Sequence, residues 1–197
     1  MANKLIIRQE ANPQNPREND NLGVMAYKHS RYTLGEEEIS DPIEWLEEKL
    51  GLQPKNEYTN ERLEELEARF FEEYIALPLY LYDHSGITMK TTPFGCRWDS
   101  GKVGYIYQTK AKIREWYDWK VITAKRREQI EGYLVNEVKE FDQYITGDVY
   151  GFEVQDENGK HVDSCGGFYG TDWKNNGMKD HIDEELWEQL ENVEVEY

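Results

Sequence analysis

Cysteine is nearly absent: Cys96 and Cys165 are the only two in 197 residues, too few for a disulfide framework or a Cys-x-x-Cys zinc site. Apolar runs are short, and none approaches the ~20 residues that cross a bilayer. No signal-peptide pattern opens the chain, so the expectation is a cytoplasmic protein with no membrane association. Histidine is scarce, and His29, His84, His161 and His181 form no HExxH pattern, so no metal is expected. Neither GxxxxGK[ST] nor GxGxxG occurs, which disfavours the common nucleotide-dependent enzyme classes, and no cofactor is expected. Positive charge is the last shortage. Against 40 Asp and Glu stand 23 Lys and Arg, a formal net charge of -17. Such a surface repels nucleic acid and attracts basic proteins, so direct non-specific DNA binding is not expected.

What is present argues for a folded chain. Hydrophobic content of 38% with 13% aromatics is too rich for an acidic disordered polymer. The charge is also segregated. Glu36 to Glu73 holds 14 acids against 4 Lys or Arg, and Asp180 to Tyr197 holds 8 acids and no Lys or Arg. Lys110 to Arg127 is the reverse, with 7 basic residues and 2 acids. Between them lies Leu77–Tyr107, glycine- and aromatic-rich, with five charged residues and one His.

The periodicities predict an α+β fold, a mainly antiparallel sheet with packed helices, as a single domain over 1–197. Leu5-Ile6-Ile7 reads as a first strand and Gly23–Lys28 as a second. Asp41-Pro42-Ile43-Glu44 opens a helix with a cap, a first-turn proline and a capping-box Glu, and Gly51 stops it. Asn60–Tyr74 is a second helix, with Leu63, Leu66, Phe70 and Tyr74 on its apolar stripe. These form an acidic helical insertion over about 36–75. Ala76–Tyr82 and Val103–Tyr107 read as strands, Lys110–Tyr117 and Thr123–Ile145 as helices. Glu157-Asn158-Gly159 joins two strands in a hairpin. An acidic C-terminal helix and tail over about 180–197 buries Ile182, Leu186, Leu190 and Val193.

Two sets of candidate residues follow. The first is acidic: Glu61, Glu64, Glu65, Glu72 and Glu73 lie off the apolar stripe of their helix, and Asp183, Glu184, Glu188 and Glu191 do so near the C-terminus. Spaced carboxylates on a helix face can imitate a phosphate array toward a basic partner. The second is a corner. Asp83-His84-Ser85-Gly86 and Trp98-Asp99-Ser100-Gly101 each adjoin a strand, and at one end of a sheet they would gather Asp83, His84, Trp98 and Asp99 into a pocket for a nucleotide or signalling molecule. Adding Asp163 would make a carboxylate–His set able to hold a divalent ion, a weaker reading. Cys165 beside Gly166-Gly167, with His161 near, suggests a thiol nucleophile, although a packed cysteine is commoner in a hairpin. Lys110–Arg127 interleaves Trp116, Tyr117 and Trp119. That mixture suits nucleic acid, or equally pairs with this chain's acidic helices or those of a second copy, leaving a homo-oligomer open.

Several strings carry a resemblance: PRENDNLG (Pro16–Gly23), HSRYTLG (His29–Gly35), LPLYLYDHSGITM (Leu77–Met89), WDSGKVGYIY (Trp98–Tyr107), TGDVYGF (Thr146–Phe152) and VDSCGGFYG (Val162–Gly170). Together they resemble a family of uncharacterised proteins encoded by bacteriophages and mobile elements. The similarity spans most of the chain apart from Gln53–Phe71 and the residues after Gly170. It implies a setting, the bacterial cytoplasm and an accessory phage or plasmid gene, and it carries over no catalytic residue. With the charge, it implies a non-enzymatic counter-defence protein, an anti-CRISPR or antirestriction inhibitor. Its acidic surfaces would meet the basic surface of a host defence nuclease or ribonucleoprotein. A structural or regulatory accessory role is the plainer alternative.

Overall fold

The computed structural model describes residues 3–55 and 57–196. Met1 and Ala2 of the expected first strand, Asn56 of the acidic insertion and Tyr197 of the acidic tail lie outside the described residues. In chain order the elements are β1 (Lys4–Gln9), β2 (Val24–Tyr27), β3 (Glu37–Glu38), α1 (Pro42–Lys49), α2 (Asn60–Glu73), β4 (Tyr74–Asp83), β5 (Ile87–Lys90), β6 (Ser100–Thr109), α3 (Lys110–Trp116), α4 (Ala124–Thr146), β7 (Val149–Gln155), β8 (His161–Tyr169), α5 (Trp187–Asn192) and β9 (Val195–Glu196). The fold is α+β, with two mixed, mostly antiparallel sheets. The chain divides into two compact units: a central unit, Asn19–Lys139, and a terminal unit, Met1–Glu18 with Glu140–Tyr197. Each has a sheet of its own.

The central sheet runs β3-β2-β6-β4-β5, and α1 and α2 cover one of its faces. Helix α1 starts where the residues demand: the Asp41 carboxylate accepts the N–H groups of Ile43 (2.9 Å) and Glu44 (3.1 Å), and Gly51 leaves the helix at φ 64°. The Glu44 carboxylate, expected to close a capping box, accepts the Tyr58 hydroxyl instead (2.6 Å). Thr59 Oγ1 caps α2 through Arg62 N–H (3.1 Å). Behind the helices Trp45 stacks on Tyr105 (5.5 Å between centroids, 2° between planes), while Phe70 meets Trp45, Tyr105 and Tyr107 edge-on at 5.3–5.5 Å. Rings in these arrangements gain attraction beyond the area they bury.

Two ionic contacts lie within this core. Arg62 on α2 and Glu47 on α1 are both shielded from water and meet at 2.8 Å. Glu37 on β3 accepts from Trp45 Nε1 (3.0 Å), the Tyr107 hydroxyl (2.7 Å) and Lys49 Nζ (2.7 Å). Partial burial pushes the Glu37 carboxyl upward, but bonds from Lys49, Tyr107 and Trp45 outweigh it and hold the group below the ordinary carboxylate range. Burial, reinforced by Glu37, pushes the Tyr107 phenol up to about 12. Burial lowers Lys49 while its bonds to Glu37 and Tyr107 raise it, and the net direction is upward.

On the opposite face Met25, Ile75, Leu79 and Ile106 are fully buried. Gly23 is wedged there between Leu134 of α4 and Ile106. A methyl at this position would stand 2.6 Å and 2.7 Å from them, so only glycine lets the chain enter β2 so close to the helix. Glu137 of α4 accepts the N–H groups of Leu22 (2.7 Å) and Gly23 (3.1 Å), and Gln108 donates to the Leu22 carbonyl (2.6 Å).

The terminal sheet runs β8-β7-β1-β9, antiparallel except for β1 with β9. The β7–β8 loop fits its sequence. The Asp156 carboxylate accepts from the N–H groups of Asn158 (2.9 Å) and Lys160 (2.8 Å), and Gly159 takes φ 75°, the left-handed position such a loop requires. Leu5, Ile7, Phe152, Val154 and Phe168 face a cluster of Met178, Ile182, Leu186 and Leu190.

Two expectations are corrected. The C-terminal segment is no continuous helix: two 3-10 turns, Met178–His181 and Glu184–Leu186, precede the six-residue α5 and then β9. Ile182 and Asp183 hold extended or turn-like backbone between the turns, since the chain must bend to seat its apolar residues on the sheet and pair β9 with β1. The acidic insertion is not helical at either margin. Glu37–Glu38 pairs in parallel with Ala26–Tyr27 as an edge strand, and Tyr74 already belongs to β4.

Phe70→Ala should cost about 3–5 kcal/mol, read from urea unfolding, because the cavity opens inside interlocked rings. Glu47→Ala should lower the urea midpoint further than the paired change Arg62→Met with Glu47→Leu, because the single change leaves a buried guanidinium without its carboxylate. The Glu37 contribution is complete above the ordinary carboxylate range and is lost as pH falls through its depressed folded value. At the alkaline end the unfolded chain releases the Tyr107 proton first, so stability falls above about pH 10. Urea midpoints measured across pH should show both limbs, and Tyr107→Phe should make the alkaline one shallower.

Candidate functional site

Helix α2 turns its acids outward because its other side is fully used. Leu66 and Phe70 are buried, Arg62 is held by Glu47, and Glu61, Glu64, Glu65, Glu72 and Glu73 are all exposed. At roughly 100° per residue, Glu61, Glu65 and Glu72 fall within a sector of roughly 40°, with Glu64 beside them. Glu61 and Glu72 are roughly 16 Å apart along the axis. Glu65 accepts from Arg62 Nη1 (2.7 Å), a bond that holds its carboxyl below the ordinary range. Glu73 lies 3.4 Å from Arg69. Glu61, Glu64 and Glu72 have no ion-pair partner among the described residues.

In the terminal unit Asp183, Glu184, Glu188 and Glu191 are exposed while Ile182, Leu186 and Leu190 go inward. Lys174 meets Glu191 at 2.9 Å, and that hydrogen bond draws its carboxyl below the usual value. The two acidic sets therefore belong to different units, and each stands as a surface of its own.

The corner at the end of the central sheet is partly assembled. Asp83 N–H donates to the Asp99 carbonyl (2.8 Å), so the two turns are neighbours. Their side chains divide into separate groups. The Asp83 carboxylate receives the Arg31 guanidinium and lies 4.0 Å from His29 Nε2. Asp99 receives the Cys96 thiol (3.4 Å) and lies 3.7 Å from His84 Nδ1, beyond direct hydrogen-bond reach. Trp98 is 96% exposed and joins neither group. The corner is therefore two polar contacts at a hairpin mouth, and its expected four-residue pocket is corrected in that respect. Arg31, His29 and Cys96 complete these contacts from outside the two turns. In the sequence His29 and Arg31 lie in HSRYTLG, which carries no spacing relation to Asp83.

The remaining candidates separate in a similar way. His161 Nε2 lies 3.1 Å from Ser164 Oγ, while the Cys165 thiol is directed to the Gly166 carbonyl (3.8 Å) and packs against the inner core. Among the described residues no group of three or more His, Cys, Asp and Glu side chains is placed to hold a metal ion. No described helix is long and apolar enough to cross a membrane. Part of the basic stretch is spent inside the central unit. Lys110 donates to the Glu72 carbonyl (2.5 Å), and Arg127 to the carbonyls of Phe71 (2.9 Å) and Tyr74 (3.3 Å) and to Glu131 (2.7 Å). Both cations thereby satisfy carbonyls at and just beyond the C-terminus of α2, where the helix dipole favours them.

Comparison with protein-family models, curated protein sequences and solved structures gives no match to this chain.

Proposed function

We propose that this protein is a non-enzymatic counter-defence inhibitor of a phage or mobile element, an anti-CRISPR or antirestriction protein working in the bacterial cytoplasm. The reading rests on one observation above the others. The acidic face of α2 is exposed along its length, and Glu61, Glu64 and Glu72 have no ion-pair partner among the described residues. A rigid helix that holds unneutralised carboxylates toward solvent meets a basic channel with little reorganisation, and release of counterions from both surfaces favours the contact. The partner is the basic surface of a host defence nuclease or ribonucleoprotein. Asp183, Glu184, Glu188 and Glu191 offer a second contact surface on the terminal unit. The phage setting comes from the resemblance of the strings between Pro16 and Gly170.

A second reading has one observation in its favour: Asp99 gathers Cys96 and His84 at an exposed hairpin mouth. A nucleotide or signalling molecule bound there would depend on His84 and Asp99. Against it, Asp83 is already committed to Arg31.

The two readings separate in one experiment. The protein is mixed with purified defence nucleases and complexes are followed by size exclusion and by inhibition of cleavage. A complex should form at low salt and weaken as the screening length contracts toward about 3 Å near 1 M. Combined Glu61→Lys, Glu64→Lys and Glu72→Lys should weaken it at least about tenfold, the equivalent of about 1.4 kcal/mol, while His84→Ala changes nothing. No complex with any nuclease tested would sink the inhibitor reading. Loss of activity in His84→Ala alone would move the site to the corner.

A further inference from the structure

The connection between α3 and α4 holds a cavity of about 290 Å³ whose lining includes four cationic residues, Lys110, Arg114, Lys120 and Arg127, the apolar Val121 and Ile122, and no Asp or Glu. Two of these cations have internal work on α2. The other two do not: Arg114 and Lys120 are exposed and have no carboxylate partner among the described residues. In a chain with 40 acids and 23 bases, cations left without a counter-charge around one cavity are a specific arrangement. Like charges so placed repel one another until an anion enters. Lys125 and Arg126 extend the positive field into the first turn of α4, which contains no acid to offset it and where the helix dipole disfavours cations.

Aromatic rings accompany the charge. Trp119 stacks on Tyr117 (4.7 Å, 26°), and Tyr117 runs parallel to Tyr133 (6.5 Å, 9°). Arg126 lies over the Trp119 ring (4.5 Å) and Lys112 over Trp116 (5.0 Å). Trp116 is 49% and Tyr133 40% exposed, so both leave ring surface to solvent in the same lobe, although neither lines the cavity itself. Cations that hold a backbone next to rings on which bases stack are how single strands are bound without sequence preference.

We infer that the α3–α4 lobe binds a short single strand of nucleic acid, with a phosphate between Arg114 and Lys120 and an adjoining base on Tyr133. The site adjoins the C-terminal end of α2, whose carbonyls Lys110 and Arg127 hold, and it does not depend on the inhibitor reading. The net charge of -17 repels a long strand, so the contact is short-range and involves few phosphates. Two single-strand phosphates correspond to a fall in log K of about 1.4 per tenfold rise in salt.

The test is fluorescence anisotropy of the full chain with labelled oligothymidylate and oligouridylate of about a dozen nucleotides, within the site sizes such modules cover. Saturable binding with that shallow salt slope is expected, and the two probes show whether the sugar matters. Arg114→Glu with Lys120→Glu should weaken binding at least tenfold, and Tyr133→Ala severalfold. Circular dichroism would check that each variant keeps its fold, which these exposed positions should allow. Wild-type protein that binds neither probe, or a charge-reversed variant that binds as well as wild type, overturns the assignment. Sedimentation supplies the remaining arm: self-association that Arg114→Glu with Lys120→Glu abolishes, without oligonucleotide binding, would give the cavity to an acidic segment of a second copy instead.

Discussion

Arg62 and Glu47 meet at 2.8 Å where water does not reach them, and the display of charge on the central unit depends on that contact. A buried guanidinium cannot be left unpaired, so α2 has one rotation in which its arginine finds the carboxylate of α1. That rotation also seats Leu66 and Phe70 on the aromatic cluster and turns Glu61, Glu64, Glu65 and Glu72 to solvent. The fit is close but incomplete. Nη1 goes to Glu65 and Nη2 to Glu47, while Nε is buried without a partner among the described residues. Burying the pair therefore specifies orientation more than it stabilises, since an apolar pair of similar volume avoids the desolvation of both groups.

The central unit consequently carries two opposed electrostatic features. On α2, Glu61, Glu64 and Glu72 have no ion-pair partner among the described residues, and in the neighbouring lobe the same holds for Arg114 and Lys120. Lys110 and Arg127 connect them by hydrogen bonds, since they hold the carbonyl end of α2 while lining the cationic cavity. Substituting either residue disturbs both features, whereas Arg114 and Lys120 can be changed without touching α2. That division separates residues that keep the unit together from residues available to a ligand.

Legibility in the sequence followed the range of the interaction. Asp41-Pro42, the Leu66/Phe70 spacing and Asn158-Gly159 act over a few residues, and the elements they predict are present at nearly the expected places. Non-local pairing left no such trace. Nothing in Glu37-Glu38 announces a parallel edge strand, because its pairing is decided by Ala26–Tyr27. Nothing in Val195-Glu196 reveals that it will lie beside Ile7 and Arg8. Ile182, Leu186 and Leu190 recur at helical spacing, yet they fall in an extended link, a 3-10 turn and the short α5 when a sheet below sets the path. The candidate residues divide likewise. Exposure of the α2 acids followed from periodicity, whereas the attachment of Asp83 to Arg31 and of Asp99 to Cys96 required the tertiary fold.

The parallel and antiparallel neighbours of β1 set an order of assembly during synthesis. Leu5, Ile6 and Ile7 leave the ribosome early, but β7 and β9, between which they lie, are encoded after residue 148. The whole central unit, Asn19–Lys139, emerges in between with its own sheet, α1, α2, α3 and most of α4. It can therefore fold while β1 waits as an apolar strand with two open edges, and closing the terminal sheet is a late, high-contact-order event. During that interval the nascent chain is most exposed to wrong strand pairing, and Lys4 and Arg8, the charged residues on either side of the apolar triplet, are positioned to discourage it.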